Sequence, residues 1–461
     1  MFLPSIKNKE SLIRRREGEL ARARELVLSA LDRALAAVDS YHAVERNVER
    51  KSSSRYNICG VIEEIPDKVL VVGAGKACPK MALAVEQIFS DKLSYGFVNV
   101  LKGTESVIRT AKIKLNPAGH PLPDEGSLEG AKEILNLISK AHPNELLLVL
   151  ISGGGSALME LPMEGISLED LIKTNKVLVS CGANIREINT IRKHISRIKG
   201  GRLLQAARSD RVISLIISDV VGDPLDSIAS GPTAPDETTF TEALEVIHKY
   251  SLEDKLPDSV LEVIKRGVRG EIPETPKPGD ALFDKVSNYI IANNRLAVCT
   301  MESFLKDKGI KVLNLGSRIE GEAREVGRVV ASILKSMSTD SLPLEPPAAL
   351  VFGGETTVTL RGNGIGGRNQ ELVLAMVEGL SETGTVVAAS LGTDGIDGVS
   401  DAAGALADSM SKEDSSRLGM KASDYLNRND SNTFFSRLGD VILTGPTLTN
   451  VTDIFASVVL G

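Results

Sequence analysis

Residues 71–80 read VVGAGKACPK, the end of an apolar run, a glycine turn at Gly73 and Gly75, and Lys76 where a helix begins. A backbone turn at a helix N-terminus presents N–H groups and the positive end of the dipole, and an ammonium beside it suits a carboxylate or a phosphate. Two standard phosphate motifs fail here. A dinucleotide fingerprint needs G-x-G-x-x-G, and Cys78 stands at the third glycine. The next strand-like run, YGFVNVL (95–101), ends without an acid for a ribose hydroxyl. A P-loop needs a glycine five residues before its G-K pair and Ser or Thr after it, where this chain has Leu70 and Ala77. On this stretch alone, a surface lysine after an ordinary strand-to-helix turn remains open.

Outward from that turn, further apolar runs alternate with helical stretches: KVLVVGAG (68–75), ELLLVLISGGG (145–155) and RVISLIISDVVGD (211–223). They are apolar throughout rather than at every second residue, as strands covered on both faces require. The alternation predicts a parallel sheet with crossover helices. GEIPETPKPGD (270–280), with three prolines, is the linker candidate. A second α/β series follows it: YIIANN (289–294), KVLNLGS (311–317), AALVFGGETTVTL (348–360), TVVAASLGTDG (385–395) and DVILTGP (440–446). Residues 10–40 form an amphipathic helix with Leu12, Leu20, Leu28, Leu31 and Leu35 at helical spacing. The reading is an α/β protein of two domains, 1–275 and 281–461, with ligands at the carboxyl ends of strands and in the cleft between domains.

Composition narrows the function. A length of 461 residues suits two domains, and 42% apolar with 25% charged residues is ordinary for a soluble protein. The net charge of −7 argues against nucleic acid, and 3% aromatics without Trp argues against base stacking. Cys59, Cys78, Cys181 and Cys299 lie far apart, which suits reduced thiols in a cytoplasmic protein and gives no zinc signature. No signal peptide and no membrane span are expected.

Five further segments carry chemistry. In ISGGGSALME (151–160), three glycines exceed what capping by Ser156 needs, so Gly153, Gly154, Gly155 and Ser156 are candidates to cradle phosphate. In SDVVGDP (218–224), Asp219 and Asp223 suit either Mg²⁺ bridging nucleotide phosphates or a pair of turn positions. In GGETTVTLRGNGIGGRNQE (353–371), Arg368 starts a helix against its dipole, which asks for an anionic partner. In SLGTDGIDG (390–398), Asp394 and Asp397 suit a general base, a metal ligand or an Asx turn. In SRIEGEAREVG (317–327), the acids read as a solvated first helical turn. His120, in a proline-rich loop, could border a site, whereas His194 reads as a helix residue that packs or hydrogen-bonds.

With these segments in hand, the chain resembles the glycerate 2-kinase family, whose C-terminal part is the MOFRL domain. The likeness rests on VGAGKA, GHPLPDEGS, ISGGGSALMELP, NTIRKHISRIKGGRL, SDVVGDPLDSIASGPTAPD, EGEAREVG, FGGETTVTLRGNGIGGRNQE, GTDGIDGVSDAAGA and TGPTLTNVTD, in order along nearly the whole chain. It implies a Rossmann-like N-terminal domain and a smaller α/β C-terminal domain with the MOFRL segment at about 347–454. It also implies an active site in the cleft, with ATP, a divalent cation such as Mg²⁺, and D-glycerate phosphorylated at its 2-hydroxyl. The family's lysine falls on Lys76, its arginine on Arg368 and its T-D-G aspartate on Asp394. The family pattern leads one to expect glycine at Leu448 and asparagine at Thr452, and residues before about Leu20 extend beyond the family core.

The expected division of labour follows. Lys76 and Arg368 hold the glycerate carboxylate or the transferring phosphoryl group, and Gly153 to Ser156 cradle ATP. Asp219 or Asp223 holds the metal, and Asp394 takes the hydroxyl proton. A small-molecule substrate is the expected partner, with room for a homodimer. The rivals are a hydroxypyruvate reductase, a label some family members carry, and a non-catalytic hydroxy-acid-binding protein.

Overall fold

The computed structural model describes residues 3–461, which divide into two compact units. Ser40–Ile291 make one unit. It begins with a small antiparallel meander of β1 (Val48–Arg50), β2 (Arg55–Ile58) and β3 (Val61–Glu64). Its main sheet contains β4 (Val69–Ala74), β5 (Leu93–Leu101), β6 (Ile113–Ala118), β7 (Leu146–Ile151), β8 (Arg211–Ile217) and β9 (Val286–Ala292). The strand order is β6-β5-β4-β7-β8-β9, and β4, β5, β6, β7 and β8 pair in parallel. Every residue of β4 and β7 is buried, as unbroken apolar runs in a doubly covered sheet should be. The order reverses between β4 and β7, so the crevice beyond their carboxyl ends is where an open α/β sheet binds ligands. The two glycine turns sit at that reversal.

Between β7 and β9 the chain also builds a helical cluster that the strand pattern does not announce. Helices Leu168–Ser180, Ile185–His194, Phe240–Lys249 and Asp258–Val268 bury Leu171, Leu178, Ile191, Phe240, Ile247 and Ile264 against one another. The proline-rich 270–280 segment is a strap over this cluster rather than a linker. Arg202 donates to Pro273 O (3.0 Å), Asp236 N to Pro276 O (2.9 Å) and Thr275 Oγ1 to Asp236 Oδ2 (3.0 Å). His194, fully buried, lies 3.0 Å from Glu274 through Nε2 and edge-on to Phe240, so it is a packing residue as expected.

The boundary between units therefore falls elsewhere than the sequence suggests. YIIANN supplies β9 of the first sheet, and residues up to Asp39 belong with Ala292–Gly461. The reason lies in one helix. Gly18–Ala37 buries Val27, Leu28, Leu31 and Leu35 and packs on the second sheet and on the helix Asn294–Asp307. An amphipathic helix announces an apolar face without saying which sheet will cover it.

The second sheet is mixed. It comprises β10 (Lys311–Asn314), β11 (Ile319–Glu322), β12 (Ala348–Thr357), β13 (Thr385–Gly392), β14 (Gly404–Asp408), β15 (Val441–Ile442) and β16 (Asp453–Leu460). The order is β10-β12-β16-β13-β14-β15, with β11 parallel to β12. β16, buried along its whole length, lies antiparallel to both β12 and β13. The sequence reading lacked this central strand. Among the described residues no helix is long and apolar enough to cross a membrane, and all four cysteines are free.

Arg24 ties the early helix to this unit. It is fully buried and donates to Asp408 Oδ2 through Nε and Nη2, to Asp440 Oδ1 (2.8 Å) and to Leu12 O (2.8 Å). Arg16 adds a second contact to Asp408, at 2.8 Å. Removing one partner of a buried ion pair leaves the other charge stranded, at a cost of about 3–5 kcal/mol. Arg24→Ala is therefore expected to destabilise the fold by that amount, whereas Arg14→Ala, with an exposed guanidinium, should change stability by less than about 0.5 kcal/mol. Urea unfolding of the two variants checks both.

Candidate active site

The site in the first unit is built from two turns that the sheet brings side by side. β4 and β7 run so close at their carboxyl ends that a Cβ on Gly73 would fall 2.1 Å from Leu150 O, and one on Gly75 2.0 Å from Ser152 Oγ. No other residue type fits at either position. Hydrogen bonds then stitch the turns together: Lys76 N donates to Gly153 O (2.9 Å), Ala77 N to Ser152 Oγ (3.0 Å) and Ser152 N to Ala74 O (3.2 Å). Gly154 is left-handed (φ 81°), and a Cβ there would meet His120 Cδ2 at 3.0 Å and Lys76 Cγ at 3.3 Å. Lys76, the Gly153–Ser156 turn and His120 thus form one constellation.

The loop after β8 completes this edge. Gly155 abuts Ala229, and Ser156 Oγ lies 2.9 Å from Ser230 Oγ. Ala229 and Ser230 are both left-handed (φ 50° and 59°), costing on the order of 1–2 kcal/mol each. The strain is held by Gly200 N donating to Ser230 O (2.9 Å) and Gly201 N to Gly231 O (2.8 Å). Such strained segments cluster at ligand clamps. The same loop carries Asp219 and Asp223 at the carboxyl end of β8, with Asp223 left-handed (φ 58°). Among the described residues no group of three or more His, Cys, Asp or Glu forms a metal site. Gly155 N donates to Ser152 O (3.1 Å). A phosphate cradle here would therefore draw on the N–H groups of Gly153, Gly154 and Ser156.

Beside these turns lies a cavity of about 140 Å³ lined by His120, Gly154, Ser156, Asn175, Arg192 and Lys199, among others. Asn175, Arg192 and Lys199 come from the helical cluster and the loop after it, and the sequence reading did not single them out. The signal was the density of cations in IRKHISRIK (191–199) within a chain of net charge −7. Lys193 in that run has a structural task, pairing with Asp226 (3.0 Å) and Asp236 (3.2 Å). Lys199 is buried in direct contact with Glu160, which also accepts from Ser196 Oγ (2.8 Å). Burial works against the Lys199 charge and lowers its pKa.

In the second unit, Arg368 opens the helix Arg368–Leu380 and meets Glu355 Oε1 at 2.6 Å and Asp453 Oδ2 at 2.6 Å. Burial alone would lower its pKa, but the two carboxylates raise it, so the helix-start arginine is fully charged. Its neighbours in the RNQE segment each tie a different segment to this helix. Asn369 Nδ2 donates to Asp453 Oδ1 (2.9 Å), Gln370 Nε2 to Asp397 Oδ2 (3.0 Å), and Glu371 accepts from Arg324 Nε (2.8 Å). Asp397 is buried and also accepts from the backbone N–H groups of Asn369 (3.0 Å) and Gln370 (2.9 Å), so it caps the helix from a separate loop. Asp394 is partly exposed and accepts from Ile396 N (3.2 Å) in an Asx turn. The glycines before Arg368 follow from packing: a Cβ at Gly362 would fall 2.5 Å from Arg428 O, and one at Gly367 2.4 Å from Asp397.

The two departures noted in the C-terminal segment fall on special backbone. Leu448 and Thr452 are both left-handed (φ 57° and 68°), the conformation that glycine and asparagine tolerate. Thr452 is held there by Thr393, whose N–H and hydroxyl donate to Thr452 O at 3.0 and 2.7 Å. The next residue is Asp453, whose carboxyl burial pushes up to about 7 against the pull of Arg368 and Asn369.

Comparison with known proteins shows the family. Residues 26–265 match a family described as a domain of unknown function, DUF4147, and residues 348–453 match the MOFRL family. Glycerate 2-kinase of Pyrococcus horikoshii is 41% identical over 442 residues, covering 95% of this chain and 97% of that protein. A protein of Agrobacterium vitis provisionally named a hydroxypyruvate reductase is 39% identical, covering 94% of both chains. The crystal structure of glycerate kinase from Thermotoga maritima matches with a TM-score of 0.82 at 36% identity, over 98% of this chain and all of that one (100%).

Two predictions follow from this geometry. Thr452→Asn should raise stability by on the order of 1 kcal/mol, because a β-branched residue is replaced by one at ease in the left-handed region; thermal unfolding measures it. A carboxyl whose folded pKa lies above its unfolded value near ~3.9 favours folding while protonated and loses that advantage as pH rises. Asp453 should therefore lower stability between about pH 4 and pH 7. Asp453→Asn removes this slope in a pH series of denaturant midpoints.

Proposed function

We propose that this chain, which belongs to the glycerate 2-kinase family, transfers the γ-phosphoryl group of ATP to the 2-hydroxyl of D-glycerate. The observation that carries the reading is the likeness to a glycerate 2-kinase at 41% identity over 95% of the chain. The paired glycine turns with Lys76 at the strand reversal suit such chemistry. In the reaction the bond from the γ-phosphorus to the bridging oxygen breaks, a bond to the glycerate oxygen forms, and the hydroxyl proton leaves. Little covalent work falls to the protein, so catalysis is positioning and neutralisation of charge.

Each residue then takes a task. Lys76 places its ammonium against the transferring group. The turn Gly153–Ser156 receives phosphate oxygens through backbone N–H groups at a helix start. Mg²⁺ is commonly held by one or two carboxylates together with substrate phosphates, and Asp219 and Asp223 are a donor set of that kind on a loop at the same sheet edge. The ion would supply neutralisation of phosphate charge. Asp394 accepts the hydroxyl proton, and Arg368, fixed by Glu355 and Asp453, serves turnover with its charge intact.

The reductase reading would need a dinucleotide site. The position of the third fingerprint glycine is filled by the fully buried Cys78, whose thiol lies 3.5 Å from Leu150 O, and the pattern fails there on sterics as well as on sequence. Phosphorus NMR of a mixture of protein, ATP, Mg²⁺ and D-glycerate should show 2-phosphoglycerate, with no oxidation of NADH by hydroxypyruvate. Lys76→Ala and Arg368→Ala should each lower the rate on the order of 100-fold or more. If both variants turn over normally, the assigned roles are wrong.

A further inference from the structure

We propose that the cavity of about 140 Å³ beside the glycine turns is the acceptor pocket and that Arg192 reads the carboxylate of the hydroxy acid, a refinement that rests on the kinase reading above. Size is the first argument. One water claims about 30 Å³ of liquid, and pockets for larger ligands run to roughly 300–1,000 Å³. The cavity thus has room for a few heavy atoms, suiting a three-carbon acid and excluding a nucleotide. Its polar wall, with His120, Ser156, Asn175, Arg192 and Lys199, suits a small hydroxylated anion.

Charge matching is the second argument, and it singles out one residue. Lys193 answers Asp226 and Asp236, Lys199 touches Glu160, and Arg202 is offset by Glu274 and Asp236. Arg192 is different. Its guanidinium Nε donates to the neutral amide of Asn175 at 2.8 Å, and burial lowers its pKa with no carboxylate opposing the shift. A place in the last turn of Ile185–His194 gives it some help from the helix dipole, worth well under the cost of a desolvated charge. Asn175, itself buried, fixes the fork through Nε and so reserves Nη1 and Nη2. That edge can still bind a carboxylate with two parallel hydrogen bonds. The missing counter-ion is supplied by the substrate.

The test is equilibrium binding of D-glycerate by calorimetry, without nucleotide, alongside steady-state kinetics, for the wild type, Arg192→Met and Arg192→Lys. Losing charged hydrogen bonds should weaken binding of glycerate by at least about 30-fold in Arg192→Met, with KM for glycerate rising in step and KM for ATP unchanged. Arg192→Lys keeps charge without the fork and should fall between. Ligand-free Arg192→Met should unfold at the same temperature as the wild type or higher, because an unmatched half-buried cation has gone. If Arg192→Met binds glycerate as the wild type does, or if KM for ATP rises instead, the assignment is overturned while the kinase reading stands. A wild type that binds glycerate through Arg192 yet transfers no phosphoryl group would overturn the kinase reading and leave the pocket intact.

Discussion

The close approach of β4 to β7 governs the first unit. Two glycines without side chains let the strands touch at Leu150 and Ser152, and that contact forces the next residues into turns that hydrogen-bond to each other. Lys76 is aimed by the second turn as much as by its own. The strained Ala229–Gly231 loop leans on the same point through Gly155 and Ser156. Three strand ends are thereby joined in one hydrogen-bonded edge, and preorganisation of that kind is what phosphoryl transfer requires.

Much of this was legible in the residues. Unbroken apolar runs gave a parallel sheet, and failed fingerprints at Cys78, Leu70 and Ala77 directed attention to an anion site of another kind. What stayed hidden was long-range partnership. YIIANN reads equally well as the last strand of one sheet or the first of another, and only pairing decides. The prolines of 270–280 read as a linker because prolines break ladders, yet Glu274 and Thr275 are anchored by His194 and Asp236. Arg192 was invisible because charge density marks a surface and a pocket alike.

The second unit shows how one short motif can serve a fold before it serves chemistry. Arg368, Asn369, Gln370 and Glu371, from adjacent positions of one helix turn, reach the strand-end acid Asp453, the loop acid Asp397 and the amide of Asn429, all three buried. Asp397 was a candidate for catalysis on sequence grounds, but its oxygens are occupied with capping. Asp394, three residues earlier, is partly exposed and accepts from Ile396 N in an Asx turn.

The place of β16 between β12 and β13 also has a bearing on biosynthesis. Those two strands have no edge in common until residues 453–460 have left the ribosome, although the helix at 18–37 that covers the same sheet is made first. The earlier helix must wait for its first cover until Asn294–Asp307 has been made, and for β16 until residue 453, while the Ser40–Ile291 unit can assemble in between.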